Sequence, residues 1–487
     1  MGTKYLDHIY TILIRLKESN VSKSNTFTNG PPHARQNIDM NYISPKANRP
    51  LDIAVVGSGI AGMSAAWLLG KTHQVSVYEK EGWIGGHSNT VDAPTGDGTT
   101  AVDTGFIVYN EVNYPNLVAL FDHLNVSTEP TDMSFGVSLD HGTFEYGSGT
   151  LNAVIGQRQN LIRPRYWKMV SDIRKFFANA RDFVASERVA PDLTLGDFID
   201  QNGYGPDFVD RFILPMGAAI WSTKPAEMRQ QPACTYLKFL YSHNLLQFKG
   251  QFPWRTVTGG SRQYVKKLTS AFSDRVKLNH AVASIKRSPT GVMVTDERGF
   301  TFKHDAVVIA THADQALTLL SDADFSERKL LGAFRYTDNH VVLHSDPALM
   351  PKRRSVWSSW NFMGETGEGV SVSYWMNKLQ NLDQRNQFFV SVNPLEEPDP
   401  ILWHRSFNYT HPFFDLAAWR AQEDLWSLQG RNNTWFCGSY FGSGFHEDAL
   451  QSGLAVAEDL GGLSRPWSVD NESGRIYRRS RIQARAA

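Results

Sequence analysis

Four apolar residues in a row, Ile53-Ala54-Val55-Val56, break at once into Gly57-Ser58-Gly59-Ile60-Ala61-Gly62 and then into a run of small and apolar residues at 63–69. An uninterrupted apolar tetrad bounded by glycine predicts a strand buried on both faces, and the run behind it predicts a helix. A second strand is expected at 74–78, closed by Glu79, which completes a βαβ opening. Apolar spacing then predicts helices at 166–184 and 208–220 within a mostly helical stretch from 160 to 250. Strands are expected at 276–278, 291–295 and 306–310, with extended segments at 340–343 and 369–375. The pattern closes with a strand at 434–437, a glycine-rich turn and a helix over 447–460. Ahead of all this, Tyr5, Leu6, Ile9, Ile12, Leu13 and Leu16 recur at helical spacing, which predicts a short amphipathic helix lying on a membrane or on the protein itself. The Asn-, Ser- and Pro-rich stretch 22–49 reads as linker.

Composition narrows the class. The chain has 487 residues, of which 41% are hydrophobic and 20% charged, excluding a disordered, collagen-like or coiled-coil protein. Two cysteines, Cys234 and Cys437, supply neither a disulfide scaffold nor a cysteine-based zinc site, so no metal is expected. No apolar run reaches the roughly 18 residues of a membrane span, and a cytoplasmic protein is expected. The 49 basic and 49 acidic residues cancel, but unevenly. Residues 1–50 hold seven Lys/Arg against three Asp/Glu, and residues 475–487 hold five Arg and no acid. The body is therefore acidic, which argues against nucleic acid as a partner. The basic ends suit either solvated tails or peripheral contact with an anionic membrane.

The chemistry begins at the glycines. Gly57 allows a tight turn, Gly59 lets the backbone approach a pyrophosphate, and Gly62 permits close helix–strand packing. Ser58, Ile60 and Ala61 complete a cradle whose helix N-terminus faces the phosphates. Glu79, followed by Lys80, is placed to bind ribose hydroxyls and disfavours a 2′-phosphate, hence NADP. Gly85-Gly86 follow, and Cys437-Gly438-Ser439-Tyr440-Phe441-Gly442-Ser443-Gly444-Phe445-His446-Glu447 precede the last helix. No second nucleotide fingerprint exists; Gly364-Glu365-Thr366-Gly367-Glu368-Gly369 has the wrong glycine order and two acids where a phosphate would sit.

With these motifs the chain resembles the flavin-containing amine-oxidoreductase superfamily. More narrowly, residues 86–91, 103–110 and 444–448, with Tyr374-Trp375-Met376-Asn377 and Val392-Asn393-Pro394, are similar to a bacterial subgroup of predicted NAD/FAD-binding proteins. Members are often encoded beside cyclopropane-fatty-acid-synthase-like methyltransferases. The resemblance spans about 51–462 and implies an α/β fold: a Rossmann-like FAD-binding domain of amine-oxidase type with an inserted α+β substrate domain. The FAD domain would comprise 51–118, 251–315 and 428–465, and the substrate domain 119–250 and 316–427, between a basic extension (1–50) and a basic tail (466–487). It implies further FAD contacts at Gly85, Gly86, His87 and Ser88, at the backbone of Val282 beside the adenine, and at Gly438, Ser439, Gly444, Phe445 and His446 near the isoalloxazine. A helix N-terminus there would meet the negative charge of the reduced ring. Trp83 and His87 stand where amine oxidases usually carry arginines, and Ser439 where the superfamily usually carries an acid.

His446 and Glu447 are the polar pair expected nearest the flavin, for positioning or proton transfer; capping of the last helix is the competing role for Glu447 and Asp448. Lys378 is the candidate for a lysine at flavin N5. Tyr440 and Phe441 could sandwich a substrate or pack in the core. The resemblance implies an FAD-dependent oxidoreductase that dehydrogenates a lipid or fatty-acyl substrate by hydride transfer, with a lipid-modifying methyltransferase as a partner. Two alternatives stay open: a flavin amine oxidase, and a redox-silent FAD-binding partner or isomerase.

Overall fold

The computed structural model describes residues 49–186, 192–221, 224–248, 250–365 and 368–478. The amphipathic helix and nearly all of the linker expected before residue 49, and the end of the basic tail, lie outside the described residues.

The apolar tetrad becomes the middle strand of a five-stranded parallel sheet, in the order Val276–Lys277, Gln74–Tyr78, Asp52–Val56, Ala306–Ile309, Thr434–Phe436. Ile53, Ala54, Val55, Val307, Val308 and Ile309 are fully buried, as a parallel sheet covered on both faces requires. All ten residues of the helix Ile60–Leu69 are buried, because the last helix, His446–Gly461, lies on it, with Gly453 directly against Ala61 and Ser64. Each fully buried Val, Leu or Ile in such a core contributes about 2 kcal/mol.

Two small sheets extend this body. The antiparallel strands Val282–Ser288, Gly291–Asp296 and Thr301–His304 form one. Trp254–Val257, between Val108–Asn110 and Thr128–Thr131, forms the other. The helix Pro115–His123 buries Leu117, Leu120 and Phe121 in the same core, so the cut expected after residue 118 falls inside it. The segment around 313–334 and the helix Leu416–Leu425 also pack into this core, beyond the cuts expected at 315 and 428.

The second body is a seven-stranded sheet in the order Trp403–Phe413, Arg335–His344, Phe389–Val392, Glu368–Trp375, Trp360–Glu365, Phe135–Leu139, Phe144–Gly147. All neighbours are antiparallel except Trp360–Glu365 and Phe135–Leu139. Alternation sorts its faces. Val137, Leu139, Phe362 and Val372 pack against the helices of 164–246, whereas Val341, Leu343, Val390 and Val392 pack against Ala93, Val102 and Ile107. The strands Trp360–Glu365 and Glu368–Trp375 pair antiparallel, with Glu365 opposite Glu368.

The helix expected over 208–220 is interrupted by a π-helical turn at Val209–Ile213 before Leu214–Trp221. Pro215 has no N–H to give the carbonyl four residues back. That carbonyl, on Arg211, accepts instead from the Tyr146 hydroxyl (2.6 Å). The start of the expected C-terminal tail is not free: Trp467 stacks on Trp67 (5.8 Å), Ile476 is buried, and Arg475 and Arg478 pair with Asp448 and Asp459. No helix among the described residues is long and apolar enough to cross a membrane.

Candidate functional site

At the C-terminal end of the middle strand, Gly57 turns with φ +99°, and a Cβ there would lie 2.9 Å from the Ala310 carbonyl oxygen. A Cβ on Gly62 would lie 2.0 Å from the Gly57 carbonyl oxygen. Gly59 differs: a Cβ there meets nothing within 4 Å, so the space in front of the helix is open. The helix has no side-chain cap, and its first internal bond runs from Met63 N to Gly59 O. The N–H groups of Ile60, Ala61 and Gly62 therefore point out of the helix end with no backbone partner, which suits a pyrophosphate.

Glu79 is buried, and its carboxylate is already engaged. It accepts from Ser58 N (2.9 Å), Ser58 Oγ (2.6 Å) and Glu81 N (2.9 Å). Ser58 Oγ also accepts from Gly85 N (3.2 Å), so Ser58 and Glu79 tie the first turn to the Gly85-Gly86 turn. Glu79 therefore braces the two glycine turns, beside the ribose role expected of it. Lys80 lies on the surface beside Glu81 (3.6 Å). The backbone of His280 docks on the Glu79 carbonyl (2.8 Å), and Val282 begins the next strand two residues on.

Beyond the glycines stands a wall of four half-buried histidines. His87 follows Gly86; His312 follows the strand Ala306–Ile309; His411 is on Trp403–Phe413; His446 starts the last helix. The His87 ring lies 6.4 Å from His312, 5.4 Å from His411 and 4.9 Å from Tyr409. His312 stacks on Tyr336 and bonds Thr410 Oγ1 (2.9 Å). His411 Nδ1 accepts from Asn339 Nδ2 (3.0 Å). His446 lies flat on Phe106 (3.8 Å between centroids) and its Nε2 bonds the Tyr264 hydroxyl (2.8 Å), which bonds Ser88 Oγ in turn. Desolvation lowers every one of these histidines, His87 to about 4 and the other three to about 3, so all are neutral near pH 7. His87 Nε2 is buried with no partner.

His87 and His446 were legible from their motifs; His312, His411 and Tyr264 were not. His312 carried one usable signal, its place just past a central parallel strand, where α/β ligands bind. His411 and Tyr264 carried none, since their neighbours come from distant sequence. No group of His, Cys, Asp and Glu among the described residues has metal-binding geometry.

The structure turns Glu447 and Lys378 away from the histidines and packs Tyr440 and Phe441, one of the two roles open to them, in the core. Glu447 does not join the wall. Its buried carboxylate accepts from Asn116 N (3.0 Å), Asn116 Nδ2 (2.9 Å), Leu117 N (3.0 Å) and Gln451 Nε2 (2.9 Å), and so caps the helix Pro115–His123. Asp448 caps the last helix, accepting from Phe445 N (2.8 Å), while Arg475 neutralises it (2.6 Å). Lys378 is carried by the short helix Met376–Leu379 onto Asp132 (3.2 Å) and Ser134 Oγ (2.9 Å), beside an open cleft, and bonds none of the four histidines. Tyr440 and Phe441 are core residues, 4.9 Å apart, with Tyr440 packed on Phe334 (5.4 Å). Glu447→Gln is expected to lower stability by about 2 kcal/mol, because it turns an amide N–H2 toward donors. Thermal unfolding beside the flavin spectrum checks this: Tm should fall while the bound flavin spectrum is kept, and a lost spectrum with unchanged Tm would return Glu447 to the site.

The glycine-rich turn closes the far side. Gly438 N donates to Ser452 Oγ (2.9 Å), and the half-buried Ser439 accepts from Gly442 N and Gly444 N through its carbonyl. Gly444 (φ +93°) packs so closely that a Cβ would lie 2.8 Å from Phe414. Phe445 stacks on Phe239 (4.7 Å), which stacks on His243 (3.9 Å), with Trp221 and Trp254 alongside.

Comparison with known proteins agrees with this fold. Residues 60–461 match the flavin containing amine oxidoreductase family. A redesigned putrescine oxidase has a similar fold (TM-score 0.63, 15% identity, covering 85% of this chain and 100% of that one). So do cyclohexylamine oxidase from Brevibacterium oxydans IH-35A (0.60, 14%, 84% and 99%) and a CLA-producing fatty acid isomerase from P. acnes (0.59, 15%, 83% and 97%). No curated protein matches the chain. The open cradle at Gly59, the free helix N–H groups and the unpartnered His87 Nε2 all suit a flavin dinucleotide. The chain belongs to the flavin containing amine oxidoreductase family, and it is an oxidoreductase whose cofactor is FAD.

Proposed function

We propose that this flavoprotein dehydrogenates a lipid or fatty-acyl substrate, as a member of the subgroup that accompanies cyclopropane-fatty-acid-synthase-like methyltransferases. The observation that carries the reading is the chemistry beside Phe445. Phe239, Trp221 and His243, lowered to about 3 chiefly by burial, pack with the half-buried Trp254 into an aromatic cluster behind Phe445. Apolar, aromatic packing of this kind is the environment an acyl chain would need beside the flavin. The lysine of the amine-oxidase reading, Lys378, is held at Asp132 and Ser134, away from the histidines. A protein of similar fold is a fatty acid isomerase, which keeps lipid chemistry within reach of the fold.

FAD, when bound, supplies the hydride acceptor. The protein's own residues do the rest. Phe106 and Tyr264 fix the plane of His446. The chain His446 Nε2, Tyr264 hydroxyl, Ser88 Oγ offers a path for the proton the substrate releases. Anaerobic absorbance at about 450 nm tests the assignment. Titration with unsaturated or methylated fatty acids should bleach the band, and mono- and polyamines should not. Bleaching by amines alone, or by neither, would overturn it.

A further inference from the structure

The helical layer on the seven-stranded sheet carries an apolar outer surface that its core does not use. Leu151 is 56% exposed, Val154 40%, Ile162 82% and Trp167 40%, while Ala153, Tyr166 and Met169, their sequence neighbours, face inward. The four form one patch. The Tyr166 hydroxyl bonds the Val154 carbonyl, and Trp167 Nε1 donates to the Leu161 carbonyl (3.0 Å), folding the helix Leu151–Ile155 and the turn Arg158–Ile162 against the start of the helix Pro164–Ala185. Ile162 is the apex.

The charge around it is mostly basic. Residues 148–168 contain no Asp or Glu, and neither do 351–364. The second stretch joins the first through Gly142, whose carbonyl accepts from both Gln157 Nε2 (3.0 Å) and Arg353 Nη1 (2.8 Å). Arg165, Lys168 and Arg353 are ion-paired with Asp207, Asp172 and Glu145. Arg158, Arg163, Lys352 and Arg354 have no such partner among the described residues; Arg354 instead lies over the Trp357 ring (4.0 Å).

We propose that this face docks on an anionic lipid bilayer, with Ile162 and Trp167 entering the headgroup–acyl boundary and the four unpaired cations meeting the phosphates. The pairing of protruding apolar groups, an interfacial tryptophan and a basic rim is what such a surface recognises. Nucleic acid or an acidic protein would match the cations but leave Ile162 and Leu151 without a role. The surface stands apart from the flavin site, so the inference holds or fails independently of the acyl substrate.

Co-sedimentation of the full-length holoprotein with vesicles tests it. Phosphatidylglycerol–phosphatidylcholine vesicles should bind the protein, and pure phosphatidylcholine vesicles at least about tenfold more weakly. Ile162→Glu with Trp167→Glu, and separately Arg158→Glu with Arg163→Glu, should each weaken binding about tenfold or more. Both variants keep the N- and C-terminal basic segments, and an unchanged Tm and flavin spectrum would show that the fold is kept. Undiminished binding by the folded variants would assign the interaction to those termini and overturn the proposal, as would failure of the unaltered protein to bind anionic vesicles.

Discussion

Gly62→Ala is expected to yield a protein without flavin and with stability reduced by about 3 kcal/mol, whereas Gly59→Ala should lose flavin affinity alone. The difference follows from what each methyl group would meet. At Gly62 it would sit 2.0 Å from the Gly57 carbonyl oxygen and 3.1 Å from the Ala310 side chain. Neither can retreat. Gly57 is itself pressed against Ala310, and the helix above is pinned by Gly453 of the last helix on Ala61 and Ser64. The first helix must therefore lift from the sheet, which spoils both the core and the N–H groups that hold the pyrophosphate. At Gly59 the methyl group meets nothing of the protein and φ is −62°, so the entropy gained on replacing Gly offsets the poorer N-cap and the fold keeps its stability to within about 1 kcal/mol. It fills the room the dinucleotide needs, and FAD affinity should fall at least about tenfold, or ~1.4 kcal/mol. Urea unfolding and the flavin absorbance of the purified variants read the two effects separately. A Gly59→Ala protein that purifies with full FAD would overturn the placement of the pyrophosphate.

That contrast also marks what the sequence could reveal. The βαβ opening, the glycine turn and the last helix depend on local rules, in which a buried strand needs consecutive apolar residues and a phosphate cradle needs glycine at set intervals. The strand Val282–Ser288 escaped because Lys286 and Arg287 mask its alternation; Arg287 is buried only because Asp322 and Glu327 neutralise it from 35 and 40 residues away. Glu447 shows the same limit at the site. Beside His446 it reads as a catalytic acid, but its partners Asn116 and Leu117 lie 331 and 330 residues away. Lys378 has the right residue type at the end of a sheet strand, and a four-residue helix turns it onto Asp132. A side chain's chemistry is local; the direction it faces is settled by packing among distant segments.

The histidine wall is a feature only the fold assembles, and it should make the flavin-free protein sensitive to mild acid. His87, His312, His411 and His446 are lowered to about 4 or 3 in the folded state, against about 6.5 when unfolded. Between those limits the unfolded chain binds more protons than the native one. Stability is then fully present above about pH 6.5 and is lost as pH falls toward the folded values. At pH 5 the loss approaches about 2 kcal/mol per ring. The buried carboxylates work in the other direction. Asp103, raised to about 6 by burial against the pull of Thr90 and Ser261, is protonated in the native state first and returns about 1 kcal/mol over the same interval. Glu447 and Asp448 are also raised by burial and share that sign. Four rings outweigh them, so the urea midpoint of the flavin-free protein should fall steeply from pH 7 to pH 5. His87→Gln combined with His411→Gln should remove about half of that slope, since neither replacement titrates. A midpoint equally pH-dependent in the double variant would mean that these two rings are not held neutral at all, and the wall would lose its claim to be a dry, uncharged face for the flavin.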